Sequence, residues 1–126
     1  MTIAYWCVLI AMFFPMIWAA LAKTGHGFDN HNPRAYLATL SGWRQRANWA
    51  QENALEAFPP FAAAVIIAHD LEVAQGTLNG LAIAWIVFRI LHGLLYIIDQ
   101  ATLRSLAWVL AMACVVAMFV LGAFTV

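Results

Sequence analysis

The sequence predicts an all-α integral membrane protein, an antiparallel four-helix transmembrane bundle, and three observations carry that expectation. Of its 126 residues, 65% are hydrophobic and only 10% are charged, where a soluble domain carries about 25% charged residues. Several stretches stay apolar for about 20 residues, the length a helix needs to cross a bilayer. Most of the connections between them are short, and short connections make consecutive helices antiparallel neighbours.

The first span is Ile3–Ala22, with Pro15 a predicted kink. Ala20-Leu21-Ala22 before Lys23 has the look of a signal-peptide cleavage site. A signal peptide, however, has a basic start and an apolar run of about 7–15 residues. The start here is uncharged and the run is longer, which predicts a retained helix. Alanine-rich helical sequence then extends from about Ala35 through Ala68, interrupted by Phe58-Pro59-Pro60-Phe61, and its membrane portion is predicted at 47–68. The third span is predicted at 78–98 and the fourth at 103–125, in an apolar run that continues to Val126. All four fall in a single domain, 1–126, with no internal repeat.

The first connection, Lys23 to about Gly42, is rich in Gly, Asp and Asn, and Asn32-Pro33 reads as an N-cap followed by proline at the first helical position. The second and third connections lie around Asp70–Gly76 and Asp99–Thr102. Lys23, Arg34, Arg44, Arg46 and Arg104 all fall on the side of the first and third connections. The positive-inside rule makes those loops cytoplasmic and sends both termini outward.

Composition also excludes. The formal net charge is zero, which offers no basic excess for nucleic acid and no lysine-arginine patch for anionic lipid headgroups. Cys7 and Cys114 lie in separate apolar runs and read as small buried hydrophobes, not as a disulfide. His26 and His31 lack further ligands at a recognisable spacing, so no metal is expected. Asp70 and Glu72 read as solvated loop charges. Trp6, Trp18, Trp43, Trp85 and Trp108 fit in part an interfacial aromatic belt.

The polar residues inside the spans carry the functional signal. A charge at bilayer depth costs roughly 2.5–3.5 kcal/mol on insertion scales, so it requires a partner or a function. At 100° per residue, Arg46, Trp49, Asn53, Glu56 and Pro60 share one stripe about 80° wide. Arg89, His92, Tyr96 and Asp99 form a second stripe, and Arg104 and Ser105 open the last helix. Two readings stay open. The groups satisfy one another, with Glu56 neutralising Arg89 and with Asn53 and His92 completing the hydrogen bonds. Alternatively, they form a site for a small anionic, hydrogen-bonding ligand that enters from the cytoplasmic side.

Arg46, then Asn53-x-x-Glu56, then Phe58-Pro59-Pro60-Phe61 resembles the second-helix signature of the MAPEG family, membrane-associated proteins in eicosanoid and glutathione metabolism. Arg89-x-x-His92-x-x-x-Tyr96 resembles that family's third-helix motif, and Leu103-Arg104-Ser105 the start of its fourth helix. Asp29-Asn30-His31-Asn32-Pro33-Arg34 is similar to the loop of bacterial members. The resemblance covers nearly the whole chain. It implies a homotrimer in a bacterial inner membrane, with periplasmic termini and glutathione bound between adjacent protomers. Carried over by motif position, Asn53 and Glu56 hold the glutathione backbone and amino group, and Arg46, Arg89, His92 and Tyr96 belong to the same cofactor site. Arg104, with Ser105, takes the catalytic place beside the sulfur and favours the thiolate, the nucleophilic form. The implied function is attack of that thiolate on a lipophilic electrophile or hydroperoxide held in an apolar groove.

Trp49 and Glu52 stand where transferase members tend to carry basic residues. Fewer cations and one more carboxylate weaken the hold on an anionic tripeptide. A second function class therefore stands beside the first: a non-catalytic lipid-binding or scaffold subunit of a larger membrane complex. A transporter finds little support, since no pair of discontinuous helices is evident.

Overall fold

Thr2 starts the first helix, α1 (Ile3–Ala22), its hydroxyl accepting from the Tyr5 N–H at 3.2 Å. The computed structural model describes residues 1–125, and Val126 lies outside the described residues. After α1 come α2 (Pro33–Ala38), α3 (Gly42–Asp70), α4 (Gln75–Ile97) and α5 (Ala101–Thr125). Where the sequence predicts four helices, the described residues form five. The helix read as starting at Asn32-Pro33 does begin there, with Pro33 in its first turn, but ends after six residues, so the stretch from Ala35 to Ala68 is divided between α2 and α3. Asn32 occupies the N-cap position but makes no side-chain cap; its amide donates to Asp29 Oδ2 instead, at 3.4 Å. Gly42, at φ +65°, takes the left-handed turn that separates α2 from α3.

α3 corrects a second expectation. Pro59 and Pro60 do not interrupt it: the helix runs unbroken for 29 residues. Each proline removes a donor, so the Leu55 and Glu56 carbonyls lose their i+4 partners. Packing compensates at the next residue. Phe61 is fully buried and stacks on Trp85 of α4, with ring centroids 3.8 Å apart and planes within 3°. Such a pair contributes about 0.5–1.5 kcal/mol beyond its buried area. α1 likewise continues through Pro15 without a break.

The other two connections are tight. Val73 N–H donates to the Ala68 carbonyl and Glu72 N–H to that of His69, at 3.0 and 3.1 Å, which closes α3 in a Schellman turn. The left-handed position is held by Glu72 at φ 59°. α4 ends the same way: Gln100 N–H donates to Leu95, Asp99 N–H to Tyr96, and Asp99 takes φ 63°. Glycine is the usual residue there, so Glu72 has a conformational role in addition to its solvated charge.

Contacts between elements give their relative directions. The Ala4 N–H donates to Asn79 Oδ1 at 3.0 Å, bringing the start of α1 to the start of α4. Tyr5 lies 4.9 Å from the His69 ring, so the same end of α1 meets the end of α3. Thr125 Oγ1 donates to the Leu71 carbonyl at 2.7 Å, joining the end of α5 to the end of α3.

The interior is built of small residues and the outside of large ones. Ala4, Ala11, Ala47, Ala50, Ala54, Ala64, Ala68, Ala82 and Ala111 are buried, while Ile10, Phe13, Ile17, Ile66, Val87, Leu94, Val109 and Phe119 are exposed. In lipid no hydrophobic force draws helices together, so close backbone approach and van der Waals packing hold them. α1, α4 and α5 are each long and apolar enough to cross a membrane. Trp18 and Trp85 depart from the interfacial-belt expectation, since both are buried, whereas Trp6, Trp43 and Trp108 are exposed. Cys7 and Cys114 are buried free thiols.

α1 and α4 meet where Trp18 lies against Gly93. A β-carbon at Gly93 would overlap the Trp18 indole, so only glycine fits against that ring. Gly93→Ala is expected to cost about 1–3 kcal/mol and to lower the thermal midpoint of the detergent-solubilised protein, whereas in a Trp18→Ala background, itself less stable, adding Gly93→Ala is expected to cause little further loss.

Candidate functional site

Arg89 sits on the inward face of α4 and is 3% exposed. A charge so placed must be hydrogen-bonded. Its Nη2 donates to Asn53 Oδ1 of α3 at 2.7 Å, and its guanidinium lies 6.0 Å from the Trp85 ring centre. The partner is thus a neutral amide. The sequence-based pairing of Arg89 with Glu56 is replaced: Glu56 is exposed and faces a cleft. Three residues on from Asn53, its longer side chain points into the opening and leaves the interior to the amide.

His92, one turn along α4, is equally buried and meets Tyr96 edge-on, with centroids 5.7 Å apart. Tyr96 is the hub of the site. Trp49 of α3 lies 6.3 Å from its ring, and the Arg104 guanidinium of α5 sits 4.3 Å above its centre. A cation over an aromatic face is attracted by the ring quadrupole, which fixes Arg104 at the mouth of the α4–α5 turn.

Two clefts open on this arrangement. One, of about 400 Å³, is lined by Trp49, Glu52, Asn53, Glu56 and Tyr96. The other, of about 250 Å³, is lined by Asn53, His92, Tyr96, Arg104, Ser105, Trp108 and Val109. Asn53 and Tyr96 belong to both, so the two adjoin. Carboxylates mark one end, Arg104 and the Ser105 hydroxyl the other, and imidazole, phenol and amide lie between. Together they have the size of a small-molecule site and suit a ligand with a cationic group at one end and an anionic one at the other.

Of the residues singled out in the sequence, Asn53, Glu56, His92, Tyr96, Arg104 and Ser105 line these clefts. Arg89 lies behind them and holds Asn53. Arg46 lines neither: its Nε donates to the Ile97 carbonyl at 3.0 Å, satisfying an otherwise free acceptor at the end of α4. Trp108 and Val109 were not foreseen. Trp108 lies one helical turn beyond Arg104 and Ser105, and that spacing was the available signal. No group of three or more His, Cys, Asp or Glu is placed to hold a metal ion among the described residues.

These features define a helical integral membrane protein with a polar cleft set among helices that are otherwise apolar. The MAPEG family's sequence profile matches residues 3–124, and the chain belongs to the MAPEG family. No curated protein and no solved structure matches it.

Asn53→Ala strips a buried cation of its hydrogen bond and is expected to cost about 1.5–3 kcal/mol. Unfolding in micelles, followed by circular dichroism, measures the loss; Asn53→Asp, which keeps the acceptor, is expected to retain most of the stability.

Proposed function

We propose that the protein is a glutathione-dependent membrane enzyme that conjugates the tripeptide to a lipophilic electrophile. The single observation behind this reading is the polarity of the joined clefts, carboxylates at one end and Arg104 with Ser105 at the other, around Asn53 and Tyr96. Glu56 takes the ammonium group of glutathione and Asn53 its backbone, while Arg89 keeps the Asn53 amide in place. Near Arg104 the thiol gives up its proton to solvent, and the guanidinium and the Ser105 hydroxyl stabilise the thiolate. Sulfur then bonds to the electrophilic carbon, and the displaced leaving group departs with the electron pair of the broken bond. A hydroperoxide is the alternative acceptor: its O–O bond breaks, giving an alcohol and water as two glutathione molecules are oxidised to the disulfide.

In this reading α3 is a fourth span beside α1, α4 and α5. Its polar stripe turns inward and toward the clefts, and its buried alanines lie against the other helices. The first and third connections face the cytoplasm of a bacterial inner membrane and the termini the periplasm, as the arginine distribution requires. The protein assembles as a homotrimer with glutathione between protomers.

A second reading, a non-catalytic lipid-binding or scaffold subunit of a larger membrane complex, has its own support. Trp49 and Glu52 line the cleft, and a carboxylate there repels the carboxylates of glutathione.

One set of measurements separates the two. Under the enzymatic reading, millimolar glutathione raises the melting temperature of the purified protein, and Arg104→Ala lowers turnover of a lipophilic electrophile about 10²–10³-fold with the glutathione-induced shift retained. No thermal response and no turnover, with a lipid or partner protein co-purifying, selects the scaffold reading.

A further inference from the structure

The end of the joined clefts opposite Arg104 carries more negative charge than glutathione calls for. Glu52 and Glu56, one turn apart on α3, both line it, together with Trp49, Asn53 and Tyr96. No Lys or Arg lines it among the described residues. The arginines of the site are committed elsewhere. Arg46 donates to the Ile97 carbonyl at 3.0 Å, Arg89 lies behind the wall on Asn53 at 2.7 Å, and Arg104 sits 4.3 Å above the Tyr96 ring.

One carboxylate is enough for one ammonium group, and Glu56 supplies it. In glutathione that ammonium shares its carbon with a carboxylate. An ammonium drawn to Glu56 therefore brings a negative charge to the same wall, where Glu52 repels it and no cation offsets the repulsion. Trp49, 41% exposed, adds an aromatic ring, which attracts a cation and offers an anion nothing. At the far end Arg104 and the Ser105 hydroxyl serve a single anionic group, the thiolate.

We infer that the thiol this site prefers ends in a simple amine, not in an α-amino acid. Its aminoalkyl group lies between Glu52 and Glu56 with Trp49 beside it, and its sulfur lies at Arg104. The inference rests on the thiol-dependent reading above and specifies the class of thiol. Glu52 sets the preference: Glu56 holds the ammonium, and Glu52 turns away a carboxylate attached next to it.

The probes are glutathione and 4-aminobutanoyl-cysteinylglycine, which is glutathione with its α-carboxylate replaced by hydrogen. Each is titrated in reduced form into the purified full-length protein, and binding is read from thermal unfolding. The descarboxy tripeptide is expected to bind about tenfold more tightly, with the gap narrowing at high salt. Glutaryl-cysteinylglycine, which keeps the carboxylate and lacks the amine, is expected to bind more weakly than either. Glu52 is exposed, so its substitution leaves the packing intact. Glu52→Gln brings the first two thiols toward parity by strengthening glutathione, and Glu52→Lys reverses their order. Equal or tighter binding of glutathione by the unaltered protein overturns this inference alone, and assigns to the wall a cation from an adjacent copy. A gap unchanged in both Glu52 variants also overturns it. Absence of binding by all three thiols overturns the thiol-dependent reading as well.

Discussion

The hydrogen bond from Arg89 to Asn53 is the interaction around which the rest of the molecule is arranged. A guanidinium at bilayer depth has no water to turn to, so its partner must come from a neighbouring helix. Asn53 supplies it across 2.7 Å, and this ties α3 to α4. Once the amide is committed, Glu56 is free to face the cleft, and His92 and Tyr96 continue the polar stripe toward α5. A carboxylate in the place of the amide would neutralise the charge more completely. The neutral partner instead leaves the Arg89 charge without a paired carboxylate, behind a cleft lined by Glu52 and Glu56.

Around that polar tie the packing follows the logic of a lipid solvent. Large apolar side chains gain little by turning inward, and much of the interior goes to alanine, which lets helices approach closely. Bulky residues such as Phe14, Leu78 and Met118 fill the space between the small ones, and two of the buried aromatics mark special contacts. Trp18 covers Gly93, and Trp85 stacks on Phe61 next to the two prolines. The stack lies where α3 has lost two of its own donors, so tertiary packing substitutes for main-chain bonding there.

Much of this is legible in the residues, and what is not has definite physical causes. The apolar runs located α1, α4 and α5 to within a few residues, because span length is set by bilayer thickness. Helical spacing placed Asn53, Glu56, His92 and Tyr96 on faces that do converge on one set of clefts. The pairing of Arg89 was misread because the stripe lists the available groups without saying how far each side chain reaches. Pro59-Pro60 was read as a break on local rules, which packing at Phe61 overrides. The bond from Arg46 to the Ile97 carbonyl, 51 positions away, could not be read from the stripe because it depends on where α4 ends.

The fit of Gly93 against Trp18 also restricts how sequences of this kind can diverge. The two positions are mutually exclusive in volume, so neither is free to drift on its own. Any side chain at 93 has to wait for a smaller residue at 18, and the intermediate with a small residue at both carries a void between α1 and α4. Change at this crossing therefore proceeds by coupled steps through a less stable intermediate. A joint large-for-small exchange at positions 18 and 93 among relatives would mark this contact more surely than invariance at either position alone.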